Sequence, residues 1–155
     1  MATVYLGLGS NLGNKEENLH HAIRKIEDRV GKVVSRSAFY PTEPWGFESQ
    51  NTFVNAAIGV DTVWSPEELL KRLRDIETEM GRLSRSSGEN YADRIIDLDI
   101  LLYGDRVCER PGLSIPHPLM TERKFVLEPL AEIASAWRHP VTGKTIKELL
   151  DMLMD

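Results

Sequence analysis

Three observations predict an α+β fold: a mainly antiparallel sheet with helices packed on it and extra helices toward the C-terminus. Four stretches, residues 3–8, 32–40, 53–60 and 94–102, alternate or run apolar as strands do. Two others, from Asn14 to Gly31 and from Ser65 to Gly81, place apolar residues at helical spacing between start and stop signals. Their order is strand, helix, strand, strand, helix, strand. Two β-α-β units split by a hairpin make this the ferredoxin-like β-α-β-β-α-β arrangement, with both helices on one face of the sheet.

The first strand ends in Gly7-Leu8-Gly9-Ser10-Asn11-Leu12-Gly13, read either as a tight turn or as a phosphate loop, although its glycines fit no standard phosphate-loop spacing. Asn14 caps the first helix with Glu17 three residues on, and Leu19, Ala22, Ile23, Ile26 and Val30 form its buried stripe. Residues 32–40 and 53–60 form the second and third strands. Between them lies a loop with two prolines, Trp45 and Phe47, which reads as a substrate cover or a hydrophobic flap. Ser65-Pro66-Glu67-Glu68 opens the second helix with N-cap, first-turn proline and first-turn acid, and Leu69, Leu73, Ile76 and Met80 form its stripe. A polar loop rich in Ser and Arg follows, then the strand at 94–102. A turn at Gly104-Asp105 with a segment around Val107 predicts a hairpin, and Pro116-His117-Pro118 a stiffened segment. Residues 122–136 read as a helix interrupted at Pro129, and 145–154 as a helix capped by Thr145 and Glu148.

With 155 residues, 41% hydrophobic and 28% charged, residues 1–155 read as one globular domain. A net charge of -5 argues against a nucleic-acid coat, which needs a basic stripe. The single Cys108 forms no internal disulfide, and no segment is apolar enough to span a bilayer. A cytoplasmic monomer that acts on small molecules, with neither nucleic acid nor membrane as partner, is the expectation.

Chemistry concentrates in Arg94-Ile95-Ile96-Asp97-Leu98-Asp99-Ile100-Leu101-Leu102. On a strand, Ile96, Leu98, Ile100 and Leu102 share one face, while Ile95, Asp97, Asp99, Leu101 and Tyr103 share the other. At about 3.3 Å per residue the two aspartate Cα atoms lie roughly 6.6 Å apart, so their oxygens can converge on one cation or two. The alternative is a strand whose second face is simply wet. Arg82, Arg85 and Arg94 border the preceding loop, and Arg123 follows His117. Arginine forks match phosphate oxygens and hard carboxylates hold Mg²⁺, so the set suits phosphoryl-type transfer.

The same strand, with Pro116-His117-Pro118-x-Met120-x-x-Arg123-x-Phe125-Val126-Leu127-x-Pro129-Leu130, resembles the 6-hydroxymethyl-7,8-dihydropterin pyrophosphokinases of folate biosynthesis. So do Leu8-Gly9-Ser10-Asn11-Leu12-Gly13, Phe39-Tyr40-x-Thr42 and Val54-Asn55-Ala56-Ala57. The resemblance implies Mg²⁺-dependent transfer of pyrophosphate from ATP to a hydroxymethyl dihydropterin, with release of AMP. It implies that Asp97 and Asp99 hold two Mg²⁺ ions and that Arg82 and Arg94 act on the transferring phosphates. Leu70, Glu77, Arg85, Tyr91, Ile100, Ser114, His117 and Arg123 would bind the nucleotide. Thr42, Pro44, Trp45, Phe53, Asn55 and Phe125 would bind the pterin, sandwiched between Phe53 and Phe125. The chain departs from the family where Tyr91-Ala92-Asp93 stands for a common Trp-Gly-Pro, where the loop after Arg82 is about two residues longer, where Phe53 replaces a frequent Tyr, and at Gly112, a basic position in some members for which Arg110 is the nearest substitute.

Two further classes suit a ferredoxin-like sheet. Paired aspartates also serve nucleotidyl cyclases and metal-dependent phosphohydrolases, which differ in their products. An RNA- or ligand-binding module predicts basic and aromatic residues on the strands, where this chain puts aspartates.

Overall fold

The computed structural model describes residues 1–42, 52–81 and 95–154. The main sheet is built from β1 (Ala2–Ser10), β2 (Gly31–Arg36), β4 (Phe53–Thr62) and β5 (Asp97–Tyr103) in the order β2-β4-β1-β5, with the short β3 (Tyr40–Thr42) also paired to β4. Every pairing is antiparallel. This is the expected ferredoxin-like order.

Helices α1 (Lys15–Arg29) and α2 (Pro66–Glu79) form where the capping signals lie: Asn14 accepts from Glu17 N and Ser65 from Glu68 N. Their stripes, with Leu19, Ile26, Leu69, Leu73 and Ile76 buried, face Val4, Leu6, Ile58, Leu98 and Ile100 in the larger core. Helices α3 (Lys124–Ala134) and α4 (Ile146–Met154) cover the other face around Tyr5, Ala57, Leu101, Leu102 and Leu127. α3 runs through Pro129 without a break, so the predicted interruption is absent. Proline there only withholds an N–H from Phe125 O, one bond of the ladder. Thr145 and Glu148 cap α4 reciprocally, at 2.8 and 3.1 Å.

Four other expectations change. The stretch 32–40 is two strands, β2 and β3, which pair with different parts of β4. The hairpin after β5 is not built on Val107, which is exposed; β6 (Cys108–Arg110) and β7 (Leu113–Ile115) pair with each other around Gly112 at φ 78°. β1 runs on past Leu8 to Ser10, so Gly9 lies inside the strand rather than in a turn. Last, the β1–β5 register shifts between Tyr5 and Leu6, pairing Leu6 with Ile100 and Tyr5 with Leu102, so Leu101 is the extra residue of a bulge. The alternation therefore inverts: Leu102 joins the α3/α4 core and Tyr103 the α1/α2 core, the reverse of a regular strand. Ile95 precedes the strand and also packs on the α1/α2 core.

Gly31 starts β2 under tight constraint, because a Cβ there would lie 2.0 Å from the backbone oxygen of Asp61. That oxygen belongs to β4 and cannot swing aside. Gly31→Ala is expected to destabilise the fold by about 2 kcal/mol, read as a lower urea midpoint with an unchanged slope.

Candidate active site

One end of the sheet face opposite α1 and α2 carries the chemistry. Gly9 pairs with Asp97 on β5 and with Asn55 on β4, and Asn55 pairs in turn with Tyr40 on β3. Residues paired across antiparallel strands project to the same side, so Asp97, Gly9 and Asn55 form one row. Asp99 opposes Gly7 in the next row of that face. Phe53, two residues before Asn55, shares the face as well. At about 4.8 Å between strands, Asn55 and Asp97 stand roughly 10 Å apart, with Gly9, which carries no side chain, between them.

Gly9 keeps that floor open. A Cβ on it would meet Asn55 Oδ1 at 2.9 Å and the Phe53 ring at 3.6 Å. Glycine within a strand marks a close approach by a ligand or another chain. A turn at Gly9 gives no hint of this use, although Gly7 and Gly9 recur at the period of the strand. Gly9→Ala is expected to leave the fold intact and to raise the apparent KM of a flat substrate bound on this row about tenfold, the cost of roughly 1.4 kcal/mol of crowding; steady-state kinetics check it.

Asn55 is buried, and its Nδ2 donates to Thr42 Oγ1 at 2.7 Å. Thr42 thereby sets the amide orientation and leaves Oδ1, an acceptor, toward Gly9. Arg123 and Phe125 flank the start of α3, with the guanidinium carbon 5.7 Å from the ring centroid, within cation–π range. A strut fastens the same helix to β3: Tyr40 Oη and Ala38 N both donate to Glu132 Oε1, at 2.6 and 3.0 Å.

Electrostatics tie the rest together. Burial, and next the like charge of Asp97, push Asp99 from 3.8 up to about 7, with Arg74 and Arg123 pulling it down and Glu77 pushing it up. Burial and then Arg123 hold His117 below the usual imidazole range, against the opposing pull of Asp97. A neutral His117 whose Nδ1 accepts from Leu119 N, at 3.3 Å, carries its proton on Nε2 and presents a donor. Asp97, Asp99, His117 and Arg123 thus lie within electrostatic reach of one another.

The other described residues expected at the nucleotide have the following surroundings. Ile100 turns its side chain into the α1/α2 core, and Leu70 packs against that core. Ser114 donates across its hairpin to Glu109 at 2.7 Å, and Arg110 pairs with Glu67 at the start of α2. Glu77 is fully buried under β5, on Leu98 N and Arg74. Pro44, Trp45, Arg82, Arg85, Tyr91 and Arg94 lie outside the described residues.

The residues fit a hard divalent cation. Among the described residues no three His, Cys, Asp or Glu side chains gather as a complete ligand set. Two neighbouring carboxylates are what Mg²⁺ uses when substrate phosphates and water complete its octahedron.

A family model described as 7,8-dihydro-6-hydroxymethylpterin-pyrophosphokinase matches residues 5–135. The chain is similar to the 2-amino-4-hydroxy-6-hydroxymethyldihydropteridine pyrophosphokinase of Porphyromonas gingivalis, 45% identical over 141 residues that cover 90% of this chain and 95% of the relative. The relative of that name from Aquifex aeolicus is 40% identical over 148 residues, covering 96% and 90%. Among solved structures, Plasmodium falciparum HPPK-DHPS superposes with a TM-score of 0.79 at 19% identity. That match covers 97% of this chain and 44% of the solved one, and it bears on the fold.

Proposed function

Since the chain belongs to the 7,8-dihydro-6-hydroxymethylpterin-pyrophosphokinase family, and so is a pyrophosphokinase of folate biosynthesis, we propose that it moves the β,γ-pyrophosphoryl group of ATP to the hydroxymethyl oxygen of 6-hydroxymethyl-7,8-dihydropterin. A bond forms from that oxygen to the β-phosphorus as its O–H bond breaks and the proton passes to solvent. The bridge between α- and β-phosphorus breaks, and AMP leaves with the bridging oxygen. The observation that carries the reading is the row Asp97–Gly9–Asn55. Its span of roughly 10 Å suits a bicyclic pterin whose amide-like edge meets Asn55 and whose substituent reaches Asp97.

In this reading the Phe125 ring lies on one face of the pterin and Phe53 on the other, while Asn55 and Thr42 read the edge. Asp97, in the pterin's own row, faces the attacking hydroxyl. Asp99, one row further, lies toward the triphosphate with His117 and Arg123, whose donors bind and orient its oxygens. Two Mg²⁺ ions on Asp97 and Asp99 would supply charge neutralisation on the phosphoryl oxygens as they transfer. Arg82 and Arg94 would add cationic support from the loop before β5. The cyclase, phosphohydrolase and RNA-binding readings give way to this one.

Incubation with ATP, MgCl₂ and 6-hydroxymethyl-7,8-dihydropterin tests it, with nucleotides and pterins separated by chromatography. One AMP per pterin diphosphate is expected. ADP, cyclic nucleotide or free phosphate as the main product would overturn the assignment.

A further inference from the structure

Among the described residues β5 closes the main sheet at one edge, so its outward backbone groups pair with no further strand in the order β2-β4-β1-β5. At Leu98, between the two aspartates, side chains of α2 take the strand's place. Glu77 Oε2 accepts from Leu98 N at 2.7 Å, and Arg74 Nη1 donates to Leu98 O at 2.9 Å. The same Arg74 nitrogen reaches Glu77 Oε1 at 2.9 Å, closing a ring of three bonds. The two side chains sit three residues apart on α2 and so face the same way.

A tether is not needed to dock α2. Leu69, Leu73 and Ile76 already bury completely against the sheet. A fully buried carboxylate is an expensive way to add adhesion, since an apolar side chain of similar size is usually as stabilising or more so. What the ring accomplishes is local: it fixes both backbone groups of the one residue whose neighbours are Asp97 and Asp99, while the Leu98 side chain is locked in the core. A residue held at N–H, C=O and side chain has both flanking peptides fixed, and with them the Cα–Cβ directions on either side of it.

We propose that Arg74 and Glu77 are positioning residues that replace a missing edge strand at Leu98 and hold the Asp97 and Asp99 carboxylates at the separation and pitch a divalent cation pair requires. The proposal rests on the reading of those aspartates as the Mg²⁺ pair. Residues that orient metal ligands from behind alter metal affinity roughly 10- to 100-fold when removed.

The test compares wild type with Arg74→Met, Arg74→Lys, Glu77→Gln and Asp99→Asn in Mg²⁺ titrations with α,β-methylene-ATP, following the rise in melting temperature. The methylene bridge blocks the proposed cleavage, so binding is read without turnover. Arg74→Met and Glu77→Gln are expected to raise the Mg²⁺ midpoint about tenfold, with Arg74→Lys partly restored. The KM for the pterin should stay near wild type in the Arg74 variants. A lower melting temperature at every Mg²⁺ concentration with an unmoved midpoint would mean a structural tether and overturn the proposal. If Glu77→Gln does not fold, Arg74→Met, whose side chain is 45% exposed, decides alone. An unmoved midpoint in Asp99→Asn would overturn the Mg²⁺ reading itself, and this proposal with it.

Discussion

Asp99→Asn is expected to lower turnover at least a thousandfold while making the metal-free protein more stable. The loss follows from removing one of the two carboxylates proposed to hold Mg²⁺, because electrostatic stabilisation of a transferring phosphoryl group is worth several kcal/mol. The gain follows from the pair itself. Burial and the neighbouring Asp97 charge raise Asp99 from 3.8 to about 7. An acid whose folded pKa is raised costs nothing below its unfolded value. As pH climbs from about 4 to about 7 its ionisation becomes a growing penalty on the folded state, constant above that window. Asparagine keeps the shape and removes the charge. At pH 8 without Mg²⁺, the variant should be more stable by about 2 kcal/mol, after allowing for screening of a part-buried carboxylate. At pH 4 the two proteins should melt alike. Thermal melts at the two pH values, with EDTA present, check the stability half of the prediction and product assays the other.

Asn55→Leu carries the second largest effect. Leucine branches at the same atom with the same number of heavy atoms but presents no acceptor, and it leaves Thr42 without the amide that now donates to it at 2.7 Å. A pterin edge desolvated against an apolar side chain loses its hydrogen bonds without recovering those to water. Buried unsatisfied groups cost about 1–3 kcal/mol each, so kcat/KM for the pterin should fall about 100-fold. The ATP dependence should change little, because Asn55 lies on β4, across β1 from the aspartates. A parallel loss in apparent ATP affinity would place the pterin elsewhere.

The sequence made the helices and the strand order legible because those signals are local. Asn14, Ser65 and Thr145 cap the helices they announce, through side-chain bonds to residues three positions on. The shared face of Asp97 and Asp99 was equally readable, since alternation needs only an unbroken strand. Alternation fails two residues later at the Leu101 bulge, which answers to the register of β1 rather than to anything near Leu101. Gly9 is misread for a related reason: a glycine-rich stretch looks the same whether it turns or lies flat beneath a ligand. Arg74 reads as an ordinary charge on an amphipathic helix, and only its bond to Leu98 O marks it as part of the site. Phe53, Asn55 and Phe125 enter through the resemblance alone, whereas Arg123, beside His117, already belongs to the arginine set that suits phosphate oxygens. No spacing rule brings them together, because three separate elements carry them to one end of the sheet.

The central claim is that Asp97 and Asp99 form a cation platform for pyrophosphoryl transfer. Its most direct test is electron paramagnetic resonance titration of Mn²⁺, a spectroscopic substitute for Mg²⁺, into wild type, Asp97→Asn and Asp99→Asn with saturating α,β-methylene-ATP. Two tightly bound ions per wild-type chain, with at least one lost in each variant, is the predicted result. Wild-type stoichiometry and affinity in either variant would contradict the account.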